Sequence, residues 1–309
     1  MKQTTSHILM IRPKHFGFNT QTAANNVFQG KTTLSNTEIQ EQAIREFDGF
    51  VKNLEKQSIH VHVVKDTDAP IKPDAVFPNN WFCSLHDGSL YVFPMFASNR
   101  RLERRVDIIG ELQKKYSIKS VEDWSFYEKE GGMLEGTGSI VFDHINRQLF
   151  ACLSPRTNEM LVDRFAQKIG YKPIIFTAED EQEMLIYHTN VMMHIGVDYA
   201  VVCLDAILSD TEKELVSERL SLNGRKIVVI SLDQMRQYAG NMLQVNNDSG
   251  HLFTVLSTRA LASLSDEQKA IIQTSSQLLP MDISVIETIG GGSARCMMAE
   301  IFFASKQNF

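Results

Sequence analysis

The stretch I-G-G-G-S-A-R-C occupies residues 289–296, close to the end of a chain of 309 residues. Three consecutive glycines allow the backbone to bend where a side chain would collide with a neighbouring group. Cys296 follows this bend, next to Arg295 and immediately before an apolar run at 297–303. An adjacent cation favours the thiolate, which is the nucleophilic form of cysteine. The stretch therefore predicts a reactive cysteine, although spacing alone leaves a structural role equally open.

Three further cysteines, Cys83, Cys152 and Cys203, lie in short apolar runs of the kind that form strands. Cysteine is among the most often buried residue types, so buried and inert thiols are expected at these positions. The four cysteines form no C-x-x-C pair, which argues against a zinc site or a dithiol redox site. We therefore expect neither a metal nor an organic cofactor.

The composition limits the class of protein. Hydrophobic residues make up 43% of the chain, enough for a substantial core. Lys and Arg number 31 against 37 Asp and Glu, and the formal charge of −6 argues against nucleic acid or an anionic membrane as the main partner. The sequence shows no secretory signal, and no apolar run is long enough to span a bilayer. We expect a cytoplasmic protein, with homo-oligomerisation left open.

Apolar runs typical of strands alternate along the chain with stretches of helical spacing. Residues 36–54 predict an amphipathic helix, and residues 191–195 predict a strand. Residues 139–142 and 149–153 predict a hairpin. Helices and strands recur with a period of roughly 60 residues, which is the signature of a repeat. The pattern favours one domain over residues 1–309, built of ββαβ-like units.

Two polar segments have the pattern of a binding site. Glu135 lies among glycines in G-G-M-L-E-G-T-G-S, residues 131–139, where either a carboxylate close to a ligand or an ordinary turn fits. His188 and Asn190 lie in I-Y-H-T-N-V, and in an extended chain they point to the same side. A structural histidine is the common alternative. Together Cys296, His188 and Glu135 form a workable nucleophile, acid–base and orienting set.

Five motifs occur in one order along the chain: F-P-N-N-W-F, L-E-G-T-G-S, L-S-P-R-T, Y-H-T-N-V and G-G-G-S-A-R-C-M. This order resembles the guanidine-modifying enzymes of the pentein superfamily, namely arginine deiminase, the amidinotransferases and dimethylargininase. The resemblance runs from Arg12 to Cys296 and is strongest for the citrulline-utilisation hydrolase group. It implies an α/β fold, a five-bladed β/α-propeller of ββαβ repeats with pseudo-fivefold symmetry. It also implies Cys296 as nucleophile, His188 as general acid–base and Glu135 as the catalytic carboxylate.

The resemblance extends to arginines that bind the substrate. Arg156 matches an arginine that holds the α-carboxylate of the substrate in deiminases, with the start of a helix as an equal alternative. Arg101, with its neighbour Arg100, is a second candidate clamp for a carboxylate, although surface charges are the favoured interpretation of this pair.

Departures from the family pattern point to the substrate. Asn80 and Asn190 occupy the positions at which arginine deiminases have aspartates, and those aspartates bind the cationic guanidinium by charge-assisted hydrogen bonds. An amide cannot neutralise a buried guanidinium, and an unpaired buried charge is costly. An amide both donates and accepts, which suits a neutral ureido group. The sequence therefore predicts a neutral, amide-lined pocket, and citrulline rather than arginine as the substrate.

The expected reaction begins with attack of the Cys296 thiolate on the ureido carbon. Ornithine leaves, a carbamoyl-thioester forms on the cysteine, and water releases carbamate, which falls apart to carbon dioxide and ammonia. One alternative is an arginine deiminase or an amidinotransferase that acts on a guanidino substrate. The alternative from another class is a non-catalytic propeller that binds a partner, as in the ribosome-binding initiation factors that share this fold.

Overall fold

The computed structural model describes residues 1–23 and 25–306. They form five separate sheets of three strands each, with helices between the strands. The strands are β1 (His7–Arg12), β2 (His60–Lys65), β3 (Phe82–Ser84), β4 (Ser89–Val92), β5 (Ser120–Asp123), β6 (Val141–Asp143), β7 (Gln148–Cys152), β8 (Lys172–Phe176), β9 (Met193–Ile195), β10 (Tyr199–Val202), β11 (Lys226–Val229), β12 (Leu243–Asn246), β13 (Leu252–Ser257), β14 (Gln277–Met281) and β15 (Ala299–Glu300).

The α-helices differ widely in length. They are α1 (Asn36–Lys56), α2 (Val106–Lys115), α3 (Gly136–Ser139), α4 (Glu159–Ile169), α5 (Thr189–Met192), α6 (Asp210–Leu220), α7 (Leu232–Arg236), α8 (Thr258–Ser263), α9 (Asp266–Gln273) and α10 (Ser284–Gly290). No helix in the described part of the chain is apolar over a length sufficient to cross a bilayer.

The sheets repeat one strand pattern. β3 runs antiparallel to β4, and β4 runs parallel to β5 after a connection that contains α2. A parallel pair needs such a crossover, because a tight turn can join only antiparallel neighbours. The sheets β6–β8, β9–β11 and β12–β14 have the same antiparallel and parallel pairings. The predicted ββαβ units are therefore confirmed, in an α/β fold of five small sheets.

The remaining sheet joins the two ends of the described chain. β15 pairs antiparallel with β1, and β1 pairs parallel with β2 after a connection that contains α1. The last strand thus takes the place that the first strand has in each of the other sheets. The N-terminal and C-terminal segments are held together by backbone hydrogen bonds of this sheet.

Helix α1 confirms the helix predicted over residues 36–54 and extends it by two residues. It begins after Ser35, whose side chain forms a capping box with the third helical residue. Its apolar face is buried, including Ile39, Phe47 and Leu54. The apolar residues therefore lie on the side of the helix that packs on the core, as the helical spacing predicts.

Two predictions of local structure are wrong in detail. Residues 191–195, predicted as a strand, divide between α5 and β9, and residues 139–142 divide between α3 and β6, although the hairpin itself is present as β6 and β7. Thr189 explains the first case. Its hydroxyl accepts a hydrogen bond from the Cys152 amide at 2.8 Å and donates one to the Ser139 carbonyl at 2.6 Å. These long-range bonds hold a helical turn where the apolar residues alone favour a strand.

A tight turn precedes the first strand of every sheet. The turns are 78–80 before β3, α3 before β6, α5 before β9, the bend at 240–242 before β12, and 294–297 before β15. Neighbouring turns touch: α3 contacts both the turn at 78–80 and α5, and the turn at 78–80 contacts the turn at 294–297. The fold therefore brings the starts of its first strands together in one region.

Gly240→Ala is expected to lower the free energy of unfolding by about 1–3 kcal/mol, the usual cost of overpacking. A Cβ atom at Gly240 would collide with the carbonyl oxygen of Val191 and lie 2.7 Å from the carbonyl carbon of Met192, so the backbone of α5 would have to move. Urea unfolding measures the change.

Gly49→Ala is the matched control for this substitution. A Cβ atom at Gly49 meets nothing within 4 Å, and the residue lies inside α1. Alanine there is expected to stabilise the protein by about 0.5–1 kcal/mol, because glycine is the poorer helix former. Equal stability of the Gly240→Ala variant and the wild type would contradict the close packing of the bend on α5.

Candidate active site

Cys296 lies on the 3-10 turn Ala294–Met297, shortly after the glycine stretch. Helix α10 ends at Gly290, and Gly291 has a φ of 66°, a left-handed conformation that glycine adopts without strain. Cys296 is only 3% exposed and lines a small cavity. Other polar side chains that line this cavity include Asp74, Asn80, Arg100, Arg156 and His188.

Glu135 and His188 form the second part of the site. Glu135 directly precedes α3, and His188 directly precedes α5. Nε2 of His188 lies 2.8 Å from Oε2 of Glu135, and the backbone N–H of Phe96 donates to Oε1 at 2.9 Å. Because an ionised carboxylate can only accept, Nε2–H of His188 donates this hydrogen bond, and Nδ1 is the acceptor of the neutral ring. Gly138 makes room for this ring, because a Cβ atom there would lie 2.8 Å from it.

Neighbouring charges fix the protonation state of this pair. Burial by itself raises the pKa of Glu135, but Arg156, the histidine and Arg100 outweigh burial and hold the pKa below its usual value. Burial lowers the pKa of His188 to about 4, against the opposing effect of Glu135. At neutral pH the site therefore holds a carboxylate and a neutral imidazole, the protonation state of a general base.

Two buried arginines surround Glu135. Nη1 of Arg156 lies 3.5 Å from Oε2 of the carboxylate, and Nη1 of Arg100 lies 4.0 Å from it. The guanidinium of Arg156 also lies over the ring of Tyr187, 4.8 Å from its centre. The interpretation of Arg100 as a surface charge is wrong, because its side chain is 3% exposed and makes two hydrogen bonds of 2.8 Å to Glu103.

Arg100 fixes the orientation of Asn80. Nη1 of Arg100 donates to Oδ1 of Asn80 at 2.7 Å, which occupies the amide oxygen. The amide nitrogen is buried and has no hydrogen-bond partner among the described residues. Since Asn80 lines the cavity, this nitrogen offers a donor to a bound ligand.

Asp74 is a residue of the cavity that the sequence did not single out. Its Oδ2 accepts a hydrogen bond from Nδ2 of Asn19 at 2.7 Å, while Oδ1 has no partner within residues 1–23 and 25–306. Burial raises the pKa of Asp74, and Arg100 opposes the rise. The prediction of a neutral, amide-lined pocket is therefore wrong. The cavity contains an open carboxylate oxygen as well as two arginines.

Asn190 lies beside the sulfur. Its Nδ2 is 3.6 Å from Sγ of Cys296. The prediction that His188 and Asn190 lie on one side of an extended chain is wrong, because α5 begins between them at Thr189. Asn190 therefore contacts the sulfur of Cys296 and is not among the described residues that line the cavity, unlike Asn80.

Two other predicted contacts are not found. Nη2 of Arg295 binds Oε2 of Glu300 at 2.8 Å, so the cation next to the cysteine in sequence is neutralised by another residue. Nε of Arg101 donates to the Met95 carbonyl at 2.9 Å, and its guanidinium lies 3.3 Å from Glu128. Arg101 is not among the described residues that line the cavity. Its neighbour Arg100 points inwards, because successive side chains of a 3-10 turn point in different directions.

The other three cysteines are buried as predicted: Cys83, Cys152 and Cys203. Burial raises the pKa of Cys152 to about 12 and that of Cys203 to about 11, which keeps these thiols protonated and unreactive. Within the described parts of the chain, no three His, Cys, Asp or Glu side chains converge in the way that a metal site requires.

Asn241 is a second residue that the sequence did not single out. It is fully buried in the bend before β12, and its Nδ2 lies 3.3 Å from Sγ of Cys296. The repeated ββαβ unit is the sequence signal that could have identified Asn241. The turns that precede the other first strands carry Asn80, Glu135, His188 and Cys296, so the bend at 240–242 is the equivalent place in its unit.

Comparison with known proteins places the chain in a family. The family model described as "N,N dimethylarginine dimethylhydrolase, eukaryotic" matches residues 12–303. The chain belongs to this family, and with it to the guanidine-modifying enzymes of the pentein superfamily. No curated protein matches the chain significantly.

Solved structures show the same fold at low sequence identity. The N-terminal domain of ArgZ bound to its substrate, described as an arginine dihydrolase from the ornithine–ammonia cycle in cyanobacteria, has a TM-score of 0.74 and 16% identity over 95% of this chain and 97% of that one. Unliganded AgrE has a TM-score of 0.74 and 17% identity, over 95% of this chain and 39% of the longer AgrE chain. DDAH from Pseudomonas aeruginosa in complex with citrulline has a TM-score of 0.66 and 14% identity, over 96% of this chain and 100% of that one.

Glu135→Gln is expected to lower the free energy of unfolding by about 3–5 kcal/mol at pH 7, because two buried arginines lose their shared carboxylate. The folded-state pKa of Glu135 lies below the value of the unfolded chain. The carboxylate therefore stabilises the fold fully above about pH 4.3, and this contribution shrinks as the pH falls further. Urea unfolding of both proteins at pH 7 and pH 3 measures the difference.

Glu41→Gln is the control for this experiment. Glu41 and Arg45 form an exposed pair on α1 with 3.8 Å between their charged atoms, and such pairs contribute about 0–1 kcal/mol. A Glu135→Gln variant as stable as the control variant would contradict the role given to the buried carboxylate.

Proposed function

We propose that the protein hydrolyses the ureido group of citrulline to ornithine, carbon dioxide and ammonia. In this proposal Cys296 is the nucleophile, His188 the general acid–base and Glu135 the carboxylate that orients it. We further propose that the five sheets close into a five-bladed β/α-propeller, which forms a single catalytic domain over residues 1–309.

The fixed amide of Asn80 is the observation that carries the choice of substrate. Its oxygen is occupied by Arg100 at 2.7 Å, so only its nitrogen is available to the ligand. A ureido group presents a carbonyl oxygen, which accepts from this nitrogen. A guanidinium presents only N–H donors, which would leave two donors facing each other in a buried site.

The charged residues of the cavity fit the rest of an amino acid. Arg156 lines the cavity and supplies a cation for the α-carboxylate, a group that guanidinium binds well. The open Oδ1 of Asp74 accepts from an N–H group of the substrate, either the α-ammonium or the ureido nitrogen. A zwitterionic amino acid thus finds both signs of charge in the cavity.

The reaction follows from the protonation states of the site. His188, a neutral base whose Nε2 is bound to Glu135, takes the thiol proton of Cys296 through Nδ1. The sulfur attacks the ureido carbon, and Asn80 donates to the oxygen as that oxygen gains negative charge. His188 then gives its proton to the departing amine of ornithine, which leaves a carbamoyl group on sulfur. Water, deprotonated by the same histidine, releases carbamate and restores the thiol.

Hydrolysis of arginine is the second candidate function. The open carboxylate oxygen of Asp74 favours it, because a carboxylate neutralises a guanidinium where an amide cannot. The structural relatives described as arginine dihydrolases have an activity of this kind. The two candidates differ in whether Asn80 or Asp74 faces the reacting carbon.

A substrate panel of citrulline, arginine, agmatine and dimethylarginine separates the candidates. We expect the highest kcat/KM with citrulline. In Asn80→Asp, kcat/KM for citrulline is expected to fall about 10- to 100-fold relative to that for arginine, because the donor to the ureido oxygen becomes an acceptor. Asn158→Asp is the control, since Asn158 caps α4 and aspartate caps a helix equally well. Turnover of arginine without turnover of citrulline would overturn the proposal.

Cys296→Ala is expected to reduce hydrolysis by about 1000-fold or more, because no other described thiol lines the cavity. Cys203→Ala is the matched control and should keep the wild-type rate, since Cys203 is buried in the core. Mass spectrometry of acid-quenched wild type with citrulline should find a carbamoyl group on Cys296. A fully active Cys296→Ala variant would exclude covalent catalysis at this residue.

A further inference from the structure

We propose that Asn241 is a catalytic residue, which together with Asn190 holds the Cys296 thiolate by hydrogen bonds from side-chain amides. This inference rests on the proposed role of Cys296 as nucleophile. The contacts to the sulfur carry it. Nδ2 of Asn241 lies 3.3 Å from Sγ, and Nδ2 of Asn190 lies 3.6 Å from it.

The backbone fixes the orientation of the Asn241 amide. Its Nδ2 donates to the carbonyl of Asn190 at 2.9 Å, and its Oδ1 accepts from the N–H of Arg295 at 3.1 Å. A rotation that exchanged oxygen and nitrogen would break both hydrogen bonds. The amide nitrogen has two hydrogens, so one serves the carbonyl and the other is left for the sulfur.

Among the described residues, no neighbouring ionisable group donates a hydrogen bond to the sulfur. Those around the sulfur are Asp74, Arg100, Glu135, Arg156, Tyr187 and His188 near the cavity and Tyr238 on another side. The hydroxyl of Tyr187 donates to the Gly291 carbonyl at 2.6 Å, and Nε2 of His188 is bound to Glu135. Arg295, adjacent in sequence, is paired with Glu300. The amides are therefore the donors in hydrogen-bond range of the sulfur among the described residues.

Two neutral donors suit this site better than a cation. A thiolate in a buried site needs hydrogen-bond donors, and such bonds are stronger in a low dielectric than in water. A cation beside the sulfur would add a third positive charge to a cavity that already contains Arg100 and Arg156, and it would repel the ammonium group of an amino-acid substrate. The amides stabilise the anion without that cost.

Alkylation of Cys296 by iodoacetamide between pH 5 and pH 10 tests the proposal without any substrate. In Asn241→Asp a carboxylate replaces the donor at 3.3 Å from sulfur. We expect the alkylation rate at pH 7 to fall about tenfold or more, and the pH of half-maximal rate to rise by about one unit. Asn241→Ala removes the donor without adding charge, so a smaller change in the same direction is expected. Mass spectrometry of the labelled peptide assigns the modification to Cys296.

Asn246→Asp is the control, because Asn246 ends the same strand β12 and binds Thr4 at 3.0 Å instead of the sulfur. It should alkylate like the wild type. A folded Asn241→Asp variant with the wild-type pH profile would overturn the proposal. If neither Asn241 variant folds, the wild type decides: half-maximal alkylation at a pH no lower than that of glutathione would also overturn it. Since alkylation needs no substrate, the alkylation experiment still tests the role of Asn241 if the protein does not hydrolyse citrulline.

Discussion

The buried carboxylate of Glu135 is the constraint on which the site depends. Two arginines and a histidine share it, with Oε2 at 2.8 Å from His188 and 3.5 Å from Arg156. Cations cannot be buried together at a cavity without a fixed anion, because each would lose its hydration without compensation. Once this anion is in place, the histidine is oriented, and Arg100 can be held in the interior where it fixes Asn80.

The repeated strand pattern explains how residues far apart in sequence reach one place. Asn80, Glu135, His188, Asn241 and Cys296 follow one another at intervals of 55, 53, 53 and 55 residues. Each lies in, or at the start of, the turn before the first strand of its sheet. The first strands are short, and contacts of β6 with β9, β9 with β12 and β3 with β15 bring the preceding turns together. A near-constant interval in sequence thus becomes proximity in space, which is how a repeat can build a site with different chemistry in each unit.

Prediction from the sequence succeeded where the signal is local. Apolar runs and helical spacing predict the ββαβ units, and the glycines around Glu135 and before Cys296 indicate close approach. Prediction failed where a long-range partner decides the outcome. Arg100 is buried because Glu103 and Asn80 bind it, and the apolar residues after Thr189 form a turn because that hydroxyl bonds to two other segments.

Under the proposed function, the discrimination between ureido and guanidino groups depends on the ion pair that fixes the amide of Asn80. The two groups differ in one atom, an acceptor oxygen against an N–H donor. The amide of Asn80 could serve either group if it were free to rotate. Rotation would turn its nitrogen towards the guanidinium of Arg100, donor against donor, at the distance of 2.7 Å that now holds a hydrogen bond. Glu103 holds Arg100 in place through two hydrogen bonds, so the buried Arg100–Glu103 ion pair determines which atom Asn80 presents to the substrate.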